Sequence, residues 1–135
     1  MSTRVYVPAS LSLLARFTEE GGIGPTPVYA HAVTAWLRAA WPEADQEEWE
    51  YAALMAAAAT SAGLRGAGDL PRRYVIAADV PGVVPVPGDD PTLVDVAADL
   101  PMKNVAAAHV DTRDDADDDE DLAWYATQEI PDLLG

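Results

Sequence analysis

Hydrophobic and polar positions alternate in short stretches over most of this chain, and one long stretch breaks that rhythm. From Gln46 to Leu64, QEEWEYAALMAAAATSAGL, strong helix formers run without a proline between Glu43 and Pro71. The pattern predicts a long central helix over 46–64. Asp45 as N-cap with Glu48 three residues on fits a capping box, the carboxylates of the first turn face the positive end of the macrodipole, and Gly63, Gly66 and Gly68 close the helix. Every residue from Tyr51 to Ala59 is apolar, which predicts burial on more than one side.

Around it lie shorter elements. Arg4–Pro8 is a β-branched and aromatic run that predicts a first strand. Ser10 caps an expected helix, LSLLARFTEE, stopped by Gly21-Gly22, and GPTP at 24–27 is a turn. Val28–Val33 predicts a second strand with Tyr29 and His31 on one face and Val28, Ala30 and Ala32 on the other. Thr34 caps a short helix ended by Pro42. The near-continuous apolar run of 72–80 predicts an interior strand covered on both faces, and the Pro/Gly-rich 81–91 a surface loop. Leu93–Ala98 predicts an edge strand, Asn104–Asp111 a more interior last strand, and Leu122–Ile130 a helix ended by Pro131. The expected architecture is a single α/β domain, 1–135, with a sheet of about five strands, mixed and largely parallel, packed with helices.

Charge changes this picture most. The formal net charge is −15. Residues 76–135 hold fifteen of the acids and only Lys103 and Arg113 as bases, which concentrates the negative charge in the second half of the chain. Such a field repels nucleic acid and anionic membrane, so direct nucleic-acid binding is excluded and a basic protein partner is favoured. Asp111–Asp121, DTRDDADDDED, has eight acids in eleven positions, a density that predicts a solvated, partly mobile segment.

Candidate chemistry is sparse. There is no cysteine, hence no disulfide, thiol nucleophile or thiolate metal site, as befits a reducing cytoplasm. No stretch reads as a signal peptide or a membrane span. No phosphate-binding glycine loop, GxSxG elbow or HExxH motif occurs, and no cofactor is implied. Asp115, Asp117 and Asp119 alternate as in a calcium loop, but Glu120 stands where the turn glycine belongs and Ala126 where the closing glutamate belongs. The candidate catalytic or metal-ligating set is Asp79, His109 and Asp111. All three lie near strand ends, where open α/β sheets gather ligands, and a His with two carboxylates suits a base or a hard cation. The plainer account makes the two aspartates strand-ending caps and His109 a packed core residue. His31, beside Tyr29, reads as a hydrogen-bonded core residue.

The blocks RVYVPA (4–9), VYAHAVT (28–34), EEWEYAALMAAA (47–58), RRYVIAADVP (72–81), AHVDT (108–112) and LAWYATQEIPDLL (122–134) together resemble a family of small actinobacterial proteins of unknown function. The resemblance implies a bacterial cytoplasmic protein and brings no activity, substrate or catalytic residue. The acid run stands where that family carries a further helix.

Two readings follow. The first is a noncatalytic acidic module docking on a basic partner, as a protein that occupies a nucleic-acid-handling surface in place of DNA. Its expected surface is the aromatic patch Trp124, Tyr125, Gln128 and Glu129 with the acids Asp114, Asp115, Asp117, Asp118, Asp119 and Glu120. The second is a small metal- or ligand-binding domain using Asp79, His109 and Asp111.

Overall fold

The computed structural model describes residues 2–135, and Met1 lies outside the described residues. Among the described residues nine strands and four α-helices follow in the order β1 (Thr3–Ala9), α1 (Leu11–Glu20), β2 (Gly22–Ile23), β3 (Tyr29–Ala32), α2 (Ala35–Ala40), α3 (Gln46–Ala62), β4 (Tyr74–Val80), β5 (Val84–Pro85), β6 (Leu93–Asp95), β7 (Leu100–Pro101), β8 (Val105–Val110), β9 (Ala123–Ala126) and α4 (Ile130–Leu133).

Local signals set the helices. Ser10 Oγ accepts from the Leu13 amide at 3.3 Å to start α1, and Gly21, at φ +77°, ends it by donating to the Phe17 carbonyl. The Thr34 hydroxyl accepts from the Leu37 amide to start α2. The capping box of α3 is reciprocal: the Glu48 amide donates to Asp45 Oδ1 at 2.9 Å and the Asp45 amide to Glu48 Oε1 at 3.2 Å.

The sheet differs from the expected one. Seven strands lie in the order β5-β6-β3-β1-β4-β8-β9, every neighbouring pair is antiparallel, and a separate antiparallel ribbon joins β2 to β7. The expectation of about five largely parallel strands is therefore overturned. The apolar run of β4 does mark an interior strand covered on both faces, but burial on two faces says nothing about strand direction. β6 is not an edge, because β5 from the expected loop pairs outside it. The 122–130 helix is also corrected: Ala123–Ala126 pairs with β8, a 3-10 turn follows at Thr127–Glu129, and Pro131 sits in the first turn of α4. Proline is tolerated at a helix start, where its missing N–H would go unpaired.

The two faces of the sheet are packed differently. Against one lies α3, whose fully buried residues are Ala53, Ala57, Ala58 and Ser61, with Leu54 partly buried beside them and Tyr6, Val75, Ala77 and Ala107 beneath. Tyr51 and Ala59 are exposed, so α3 buries a single alanine-lined stripe rather than several sides. The other face carries Val5, Val7, Val28, Ile76 and Val94 under Leu14 and Phe17 of α1, Ile23 and Leu100 of the ribbon, and Ile130 of α4. Each large side chain buried there contributes about 1.5–3 kcal/mol, so this face supplies the greater share of apolar burial. The ribbon leaves no room at Gly22, where a Cβ would fall 2.9 Å from the Leu100 carbonyl oxygen.

Candidate functional site

The antiparallel pairing decides the fate of the expected three-residue constellation. β4 and β8 run in opposite directions with Tyr74 opposite Val110 and Val75 opposite His109. Asp111 therefore lies beside Arg73 at one end of the pair, and Asp79 lies toward the other. A strand rising about 3.3 Å per residue puts roughly 20 Å between Arg73 and Asp79. The structure does not bring Asp79, His109 and Asp111 together, and among the described residues no group of three or more His, Asp or Glu side chains could hold a metal ion.

Each of the three has a partner of its own. Asp79 accepts from Arg4 Nε at 2.8 Å and Nη2 at 3.1 Å, and the Arg4 guanidinium holds its carboxyl below the usual range. The His109 ring packs edge-on against Tyr6, with centroids 6.3 Å apart, and burial followed by the nearby Arg4 charge lowers its pKa. Asp111 is 2% exposed and grips Arg73, itself 3% exposed.

Arg73 is the residue on which the acid run is hung. Its Nε donates to Asp111 Oδ2 at 2.9 Å and its Nη2 to Asp111 Oδ1 at 2.8 Å, a bidentate fork, while its own amide donates to Oδ2 at 2.8 Å. The remaining donors reach backbone: Nη1 to the Asp118 carbonyl at 2.9 Å and Nη2 to the Glu120 carbonyl at 2.8 Å. The bond to Asp111, with burial opposing it, raises the Arg73 pKa. Further ties run from Arg72 to Asp114 at 2.7 Å, from Arg113 to Glu120, from the Asp115 amide to the Pro71 carbonyl at 2.9 Å and from the Tyr51 hydroxyl to Asp121 at 2.7 Å. Sequence reasoning passed over Arg73. The signal was present in an Arg-Arg pair opening β4 and an aspartate just after β8, which an antiparallel register sets face to face.

These pairings leave Asp115, Asp117, Asp118 and Asp119 exposed and without a cation among the described residues. Next to them runs β9, the last strand of the sheet. Trp124 is the cross-strand partner of His109 and is 60% exposed. Tyr125 points to the opposite face and packs against the core, Glu129 accepts from the Ala126 amide at 2.9 Å, and Gln128 is exposed. Of the four residues expected to share a helical patch, Trp124 and Tyr125 are thus divided by the period of two of a strand, and Gln128 and Glu129 fall in the 3-10 turn after it. His31 is buried in β3 against Thr60 and Thr92, far along the sheet from β9.

Fold and site together define a single-domain antiparallel α/β protein with an acidic loop strung from a buried arginine beside an open strand. Residues 3–134 match the family described as "Family of unknown function (DUF6912)", and the chain belongs to that family. No curated protein and no solved structure matches the chain. No helix among the described residues is long and apolar enough to cross a membrane.

Proposed function

We propose that the chain is an acidic docking module that takes an extended basic segment of a protein partner along β9. The observation that carries this reading is Trp124, 60% exposed on the outermost strand, in a chain segment that follows four exposed aspartates without a cation among the described residues. A large aromatic on an open strand offers contact area, the strand's outer backbone offers ladder hydrogen bonds, and the acids select a positive partner. The opposite edge of the sheet is a poorer candidate, because β5 contains Pro85 and is followed by Pro87, which blunt pairing. A surface of this sign competes with nucleic acid for a basic groove rather than binding it. The resemblance to small actinobacterial proteins supplies a bacterial cytoplasm as the setting.

The test is titration of a fluorescein-labelled ten-residue peptide alternating Lys with Val, read by anisotropy at 50 and 300 mM NaCl, with a Glu/Val peptide as control. The basic peptide is expected to bind and to weaken at least tenfold at the higher salt. Asp117→Asn/Asp118→Asn/Asp119→Asn should flatten the salt dependence, and Trp124→Ala should weaken binding at both salts. Equal binding of the two peptides, or a Trp124→Ala protein that binds as the parent does, would overturn the reading.

A further inference from the structure

On the half of the sheet away from β9, four side chains form a line of hydrogen bonds that ends in a cavity. His31 of β3 is 2% exposed, with Nε2 2.9 Å from Thr60 Oγ1 of α3 and Nδ1 2.8 Å from Thr92 Oγ1. Asp90 stands behind: its Oδ2 is 3.4 Å from His31 Nδ1, and its Oδ1 accepts from the Thr92 hydroxyl at 2.6 Å and the Thr92 amide at 2.8 Å.

The donors along this line settle the tautomer. A carboxylate only accepts, so the Thr92 hydroxyl spends its proton on Asp90. The Thr92 oxygen then has only lone pairs to offer His31, and Nδ1 must carry the ring hydrogen. Burial, opposed by the Asp90 charge, lowers the His31 pKa and favours the neutral ring. Nε2 is therefore a lone pair, and the Thr60 hydroxyl donates to it in preference to the more distant Ala56 carbonyl at 3.2 Å. Hydroxyl, imidazole and carboxylate stand in the order in which a buried base activates a nucleophile.

Thr60 is also exposed and lines a cavity of about 340 Å³. Its other walls include Val7, Phe17, Val28 and Leu64, and Arg16 is the cation on its lining. The volume falls within the range of small-molecule sites and the lining is largely apolar. An alcohol held by a base in the lining of a largely apolar pocket suits acyl transfer.

We propose that Thr60 is a nucleophilic hydroxyl, with His31 as its base and Asp90 as the group that orients the imidazole, and that the cavity takes small apolar carboxylic esters. Thr60 Oγ bonds to the acyl carbon as Nε2 takes its proton. The carbon–oxygen bond to the alcohol then breaks, the alcohol leaves with the proton returned by Nε2, and the acyl group remains as an ester on Thr60. Water, giving a proton to the same Nε2, attacks that ester, releases the carboxylic acid and restores the Thr60 hydroxyl.

The probe is p-nitrophenyl butyrate, followed by nitrophenol release in the first turnover and by peptide mapping for a butyryl group. The full chain should give a burst approaching one equivalent with the adduct on the Thr60 peptide. Thr60→Val, at an exposed position, should abolish burst and adduct, whereas Thr60→Ser should keep both. His31→Gln should slow the burst about 100-fold or more. Because that variant disturbs a buried site, Asp90→Asn serves as a second arm, slowing the burst at least tenfold with an unchanged melting temperature. A Thr60 peptide that stays unmodified while nitrophenol release equals that of Thr60→Val, or a burst indifferent to Asp90→Asn, overturns the proposal.

Discussion

Arg73 and Asp111 are a buried charge pair in which each group depends on the other. With both side chains almost fully covered, desolvation is costly, and the pair is tolerated because it is densely bonded: two bonds from guanidinium to carboxylate, one from the Arg73 amide, and two to loop carbonyls. Removing the cation alone leaves a carboxylate with one backbone donor in a site closed to water. Arg73→Met is expected to cost about 3–5 kcal/mol in urea unfolding and to open residues 112–121 to limited proteolysis. Asp118→Asn, exposed and bonded through its carbonyl rather than its carboxylate, should change stability by less than about 0.5 kcal/mol. A loss under about 1 kcal/mol for Arg73→Met would show that water already reaches the pair.

α3 reaches the sheet through small residues, and at its last turn Ser61 does what the alanines do not. Its hydroxyl is fully buried, donates to the Ala9 carbonyl at 2.6 Å and accepts from the Tyr74 amide at 2.9 Å, tying the helix to β1 and β4 where β1 ends and β4 begins. Ser61→Ala leaves a buried donor and a buried acceptor unpaired, and a loss of about 1–3 kcal/mol in urea unfolding is expected, against none for Ala62→Ser on the exposed side. A Ser61→Ala chain as stable as the parent would mean that another group takes over both bonds. The same scale shows what could be read from sequence. The caps of α1, α2 and α3 were legible because each is a bond between residues three apart, written locally at Ser10, Thr34 and Asp45. β9 was not, because LAWYATQEI suits a helix on its own and becomes a strand only because β8 presents an open ladder to it. Thr60, His31 and Asp90 were hidden for a like reason, since three elements distant in sequence had to be assembled first.

Across the whole molecule, strand direction was the property least visible from composition, because an apolar run such as β4 is the same forwards and backwards, and the Asp79/His109/Asp111 reading fell with it. Net charge was fully visible, and it sets up a contest that acid resolves. Lowering the pH reduces the −15 and with it self-repulsion, which favours the folded state. Against this stand His31 and His109, both with pKa values lowered from 6.5 chiefly by burial. For a base of depressed folded pKa the unfolded chain takes up the proton first, so stability is intact above about pH 6.5 and is lost as pH falls toward the folded value. Each unit of depression is worth about 1.4 kcal/mol. Asp69, held low chiefly by the backbone amides of Gly66 and Ser12, and Asp79, held low by Arg4, add stability that is present above the ordinary carboxylate range and lost below it. Urea unfolding at pH 8, 7, 6, 5, 4, 3 and 2 is therefore expected to show a plateau to about pH 7, a decline beginning near 6.5 and a steeper one below about 4. His109→Gln, which keeps a polar group beside Tyr6, should make the decline between pH 7 and 5 shallower without moving the steep one. Stability that rises from pH 7 to 5 would mean that relief of self-repulsion outweighs two buried imidazoles, and an unchanged slope in His109→Gln would place the loss on His31 alone.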